Sequence, residues 1–146
     1  MKKLLVICVC AVLAAGCKKK EELPLEPAIE LKSVSATSVV QFDNEITITI
    51  AYTDHNGDLG YEDPDVYAIR VKDSRLEAYD WYHLPPVTPD MMELDVSGTF
   101  AIVLNPLFLL GNGQQEVTSF KIQLRDRAGN WSNEISTGNI TIVESL

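Results

Sequence analysis

The run 45-EITITIAYT-53 alternates isoleucine with threonine, and this pattern constrains the fold more than any other part of the chain. A period of two puts Ile46, Ile48, Ile50 and Tyr52 on one face and Thr47, Thr49, Ala51 and Thr53 on the other, which describes a half-buried strand. β-branched residues supply most of it, as strands favour. The same period recurs in 66-VYAIRVK-72 (Tyr67, Ile69, Val71 inward), 99-TFAIVL-104 (Phe100, Ile102, Leu104) and 117-VTSFKIQLR-125 (Phe120, Ile122, Leu124). Weaker candidates are 29-IELKSVSATSVV-40, 79-YDWYH-83 and 139-NITIV-143. Turn chemistry separates the runs at Asp43-Asn44, 111-GNG-113 and 126-DRAGN-130, while 105-NPLFLLGN-112 is predicted to be a loop packed over the edge of the fold. Seven strands with no helix-period segment predict an all-β chain: a single Ig-like antiparallel β-sandwich.

The sandwich is expected to begin only at residue 28. Residues 1–16, MKKLLVICVCAVLAAG, have the basic start, short apolar stretch and small-residue end of an export signal. The apolar stretch from Leu4 to Ala14 falls short of the roughly 20 residues that a spanning helix needs. The ending VLAAGC resembles the lipobox of bacterial lipoproteins, with Ala14 where leucine is usual. That resemblance implies acylation of Cys17 and attachment to a membrane by buried lipid chains. All three cysteines, Cys8, Cys10 and Cys17, lie in or beside the signal, so the exported domain has no thiol pair for a disulfide and no cysteine nucleophile. Residues 17–27 read as a charged, Pro-punctuated tether after the acylated cysteine. Within it Lys20, Glu21 and Glu22 resemble the surface-export signal of Bacteroidota lipoproteins, which implies an outer-membrane location, surface-exposed in preference to periplasm-facing. Residues 28–146 form the domain.

Loss of residues 1–16 removes two lysines and no acid, so the formal charge of −9 becomes −11 in the mature chain. Phosphates require a basic face, and nucleic acid is not an expected partner. The acids concentrate in 52-YTDHNGDLGYEDPD-65. If the strands run up and down, this loop meets residues 84–98 and 126–133 at one end of the sandwich. Asp54, Asn56 and Asp58 at alternate positions, with Asp126 from the third loop, form a candidate calcium site, because hard cations take carboxylate, amide and carbonyl oxygens. A carbonyl near Gly60 would complete it. The loop is not an EF-hand: Leu59 stands where glycine is needed, and strands flank it. The competing expectation is that Asp54, Asn56 and Gly57 form Asx-type turns, while Asp58 accepts backbone N–H groups and Asp126 starts the final hairpin turn.

Two motifs, 53-TDHNGDLG-60 and 126-DRAGNWSN-133, resemble the TDGDGDLG and DRAGNxSN motifs of uncharacterised Bacteroidota lipoproteins with an Ig-like domain. His55 and Asn56 depart from that pattern and remove one carboxylate. The resemblance implies fold and location and supplies no activity.

No nucleophile elbow, phosphate-binding glycine loop or HExxH helix is present, and the chain is expected not to be an enzyme. His55 and His83 are expected to face solvent, although a zinc pair is conceivable. Alternation in 79-YDWYH-83 separates Tyr79, Trp81 and His83 from Asp80 and Tyr82. Trp81 is expected to enter the core; if exposed, Trp81 and Tyr82 are the candidate ligand-stacking residues. The function these features predict is a lipid-anchored envelope module, non-catalytic and calcium-stabilised, that contacts an envelope protein or an extracellular ligand. The alternatives are a glycan-binding accessory lipoprotein and, behind it, a small hydrolase.

Overall fold

A computed structural model describes residues 23–89, 92 and 94–145. The signal, Cys17, Lys20, Glu21, Glu22, Asp90 and Glu93 lie outside the described residues. Among the described residues ten strands follow in order: β1 (Ala28–Val34), β2 (Ser38–Val40), β3 (Ile46–Asp54), β4 (Ile69–Asp73), β5 (Asp80–Tyr82), β6 (Val96–Leu104), β7 (Gln115–Thr118), β8 (Phe120–Leu124), β9 (Ile135–Ser136) and β10 (Ile140–Val143). They form three sheets, β1-β3-β6, β2-β10-β7 and β5-β4-β8-β9. The fold is all-β and sandwich-like, as the alternation predicts.

Ile46, Ile48 and Ile50 of β3 are fully buried, as are Val71, Leu124, Ile140 and Ile142 from the other two sheets. Inward residues of all three sheets form one apolar cluster. Each such side chain contributes roughly 1.5–3 kcal/mol when removed from water, so the rows predicted from period two are the main source of stability.

Strand number exceeds the predicted seven for local reasons. The segment 29–40 divides because its alternation lapses at Ser33, Ser35 and Thr37. β1 pairs with β3 and carries a register shift between Leu31 and Ser33, after which the chain crosses to another sheet as β2. There β2 runs parallel to β10, an exception to the antiparallel expectation. The segment 117–125 divides at Ser119, where it passes from β10 to β4 as its neighbour. Thr118, Phe120, Ile122 and Leu124 all stay buried, so the inward phase survives the change of sheet. Tyr67 was expected inward but is exposed, because β4 begins at Ile69. In the 105–112 loop Leu107 is buried, whereas Phe108 and Leu110 face out.

One buried carboxylate lies outside the expected site residues. Asp73, at the end of β4, takes an inward position of that strand and accepts hydrogen bonds from Arg75 Nε (3.1 Å) and Nη2 (2.7 Å) and from the Thr118 hydroxyl. Arg75 Nη1 reaches Glu116 Oε2 at 2.8 Å and the Phe108 carbonyl at 2.8 Å. The guanidinium thereby clamps β4, β7 and the 105–112 loop. Burial would raise the Asp73 pKa, but the bonds from Arg75 and Thr118 hold it below the ordinary carboxylate value.

Candidate functional site

Two inward rows end in acids at the same end of the sandwich. Asp54 continues the phase of Ile46, Ile48 and Ile50 and is the last residue of β3, while Asp126 continues the phase of Ile122 and Leu124 just beyond β8. Both are fully buried, and Asp58 is 8% exposed. Alternation that drives apolar side chains inward therefore also delivers two carboxylates to the end of the core.

The three predicted loops meet here. Thr88 Oγ1 donates to the Gly57 carbonyl at 3.3 Å, and the backbone of Leu94 approaches Gly57 so closely that a Cβ there would lie 2.2 Å from the Leu94 oxygen. Gly60 meets Pro85 in the same way, again at 2.2 Å from a carbonyl oxygen. Both glycines have positive φ, 63° and 82°, so shape and conformation each require a residue without Cβ. The Tyr61 hydroxyl donates to the Asp126 carbonyl at 2.9 Å, tying the acidic loop to the DRAGN turn.

Within this frame the four predicted ligands separate into two roles. Asp126 accepts from Asn130 N at 2.7 Å through Oδ1 and from Asn130 Nδ2 at 2.8 Å through Oδ2. Both of its oxygens are thus engaged in holding the turn. Asp58 Oδ2 accepts from Ala128 N at 3.1 Å, and its carbonyl accepts from Arg127 N at 3.0 Å. The Gly60 carbonyl takes Arg127 Nη1 at 3.1 Å, so the carbonyl expected to complete a cation site is also engaged. Asp54, Asn56 and Asp58 are what converges. In the orientation that satisfies its neighbours, the Asn56 amide nitrogen donates to Asp58 Oδ1 at 3.3 Å and to Asp54 Oδ1. Asp54 Oδ2 is buried without a hydrogen-bond donor.

Electrostatics follow from this crowding. Burial, then the neighbouring Asp58 charge, push the Asp54 pKa upward against backbone N–H groups of Asn56 and Asp58. Burial and Asp126 push Asp58 upward, opposed by Ala128 N–H and the Arg127 charge. The pole can supply two carboxylates and an amide oxygen to a cation. Among the described residues, no group of three or more His, Cys, Asp or Glu side chains is placed to hold a metal ion together. The other acids of the loop, Glu62, Asp63 and Asp65, are exposed. His55 Nδ1 pairs with Asp95 Oδ1 at 3.0 Å, and His83 Nδ1 meets the Val66 carbonyl at 2.9 Å, so the two histidines serve different partners.

The aromatic expectation is corrected. Trp81 is 43% exposed, and Tyr82 is the residue packed against the core. The cause is register: Trp81 pairs with Arg70, which alternates with inward Ile69 and Val71, so both point outward. Tyr82, opposite Ile69, turns inward, which removes it from the stacking candidates. On the outer face Trp81 lies beside Tyr79 and Trp131, with ring centroids 6.3 and 6.2 Å away. The Arg70 guanidinium sits 4.1 Å above the Trp131 ring and 4.9 Å from that of Tyr79. Compared with known proteins, the chain matches no family model and no curated protein.

Proposed function

We propose that the chain is a lipid-anchored envelope lipoprotein, an Ig-like binding or structural module without catalytic machinery, whose acidic pole takes a calcium-type cation that stiffens it. Cys17 carries the anchor, and the 20–22 KEE stretch directs the domain to the outer leaflet. What supports the cation is Asp54: a fully buried carboxylate, crowded by Asp58 and Asp126, with one oxygen lacking any donor. Burying such a group is costly unless it is paired or binds a metal. In the cation-free loop the Asn56 amide nitrogen donates to the same two carboxylates, and a half-turn of the amide would present its oxygen to a cation instead.

Calcium takes six to eight oxygens, so side chains here leave several positions to backbone and water. Such open sites have dissociation constants on the order of 0.1–1 mM. At tenfold excess of ligand the stabilisation is about 1.4 kcal/mol, which raises the melting temperature by a few degrees. The full-length protein in detergent micelles, melted in EDTA and then in excess calcium, magnesium or zinc, tests this. Calcium should raise the midpoint selectively, and Asp54→Asn should abolish the rise. An unchanged midpoint with every ion, or the same rise in the variant, would rule the cation out.

A further inference from the structure

We propose a second site: the outer face of the β5-β4-β8-β9 sheet binds an anionic saccharide, with a sugar ring stacked on Trp81 and its carboxylate or sulfate held by Arg70 and Arg125. This face is chemically unlike the rest of the molecule. Arg70 and Lys72 of β4 share it with Lys121 of β8 and Arg125, so it carries four of the seven lysines and arginines that follow the tether in a strongly acidic chain.

The four cations differ in how they are compensated. Lys72 pairs with Glu77 at 3.7 Å and Lys121 with Glu134 at 2.8 Å. Arg70 and Arg125 have no carboxylate partner among the described residues. Arg70 gives Nε and Nη2 to the single oxygen of Gln123, leaving Nη1 uncommitted. Arg125 Nε is buried without an acceptor, and its Nη2 reaches only the Tyr67 carbonyl at 3.5 Å. Trp131 lies against both guanidinium groups, at 4.1 and 5.5 Å, and holds them beside the exposed indole of Trp81. A planar guanidinium fixed by stacking is organised in advance for a carboxylate or sulfate.

Trp81 identifies the rest of the ligand. It is exposed at the centre of the aromatic row, flanked by Tyr79 and Trp131, and pairs in register with Arg70. An indole face beside fixed cations suits a ring with an apolar C–H face and a charged substituent, which is a uronic acid or sulfated sugar. An acidic peptide would bind the same cations yet would draw little from the indole; its backbone would add at the β5 edge.

Tryptophan fluorescence of the full-length protein in micelles, titrated with polygalacturonate and with chondroitin sulfate, tests the site. EDTA is kept present so that calcium cannot bridge a carboxylated polymer to the acidic pole, which makes the outcome independent of the cation reading. Saturable binding to either polymer, weakened by salt, is expected, with roughly tenfold or greater loss in Trp81→Ala and in Arg125→Gln. Trp81→Tyr keeps a ring and should retain part of the affinity, which separates stacking from any loss of folding. No binding to either polymer, equal binding of neutral dextran or of polyglutamate, or full affinity in Trp81→Ala would overturn the proposal.

Discussion

Asn56 stands where the resembled motif has aspartate, and its amide can present either oxygen or nitrogen to Asp54 and Asp58. Asn56→Asp would place a third acid in an already crowded loop. In EDTA its melting temperature should fall below that of the native chain, and calcium should then raise it by more than it raises the native protein. Equal calcium shifts in the two proteins would remove Asn56 from the site. Gly60 makes a different demand. With φ at 82° and the Pro85 carbonyl where a Cβ would go, Gly60→Ala should cost more than about 1 kcal/mol in denaturant unfolding whether or not calcium is present. That independence from the ion distinguishes a shape requirement from a ligand requirement.

At the scale of elements, the strands are joined by polar groups as well as by the core. The Asp73–Arg75–Glu116 cluster links β4 to β7, and Asp73 is nearly buried. Asp73→Asn weakens the charge-assisted bonds from Arg75 and leaves that guanidinium to Glu116, so it should destabilise the protein by about 1.5–3 kcal/mol in denaturant titration. The pH dependence has a definite sign. Because the folded pKa of Asp73 is depressed, its contribution is present above the ordinary aspartate value and is lost as pH falls through the lower folded value. Asp54 and Asp58, with raised values, act oppositely: their contribution is present in acid and is lost as pH rises through the folded values. Stability measured in EDTA from neutral pH to below about pH 4 should therefore show a smaller acid loss in Asp73→Asn than in the native chain.

For the whole molecule, β1 starts opposite Thr53, one residue before Asp54, so the tether leaves from the acidic pole. The opposite end carries exposed Phe42 stacked on Phe108 at 5.6 Å. Under the lipid-anchor proposal the tether joins the domain at the acidic pole. Cys17→Ser should move the protein from the membrane fraction to the soluble fraction, and an unchanged distribution would remove the anchor. The amino-acid sequence by itself determined the inward rows of 46–50, 100–104 and 120–124, because period two is a local property and a buried face must follow it. Asp54 and Asp126 were legible as burial candidates too, being in phase with Ile50 and Leu124. Tertiary structure decided the rest. Trp81 faces out and Tyr82 in because β5 pairs in register with β4, and that choice depends on which residues lie opposite across a sheet. The division of work between Asp54 and Asp126 likewise depended on Asn130, whose two donors reach Asp126 only once the DRAGN turn is closed. Arg75 found Glu116 across 41 residues of chain, and no local pattern records a partner at that separation.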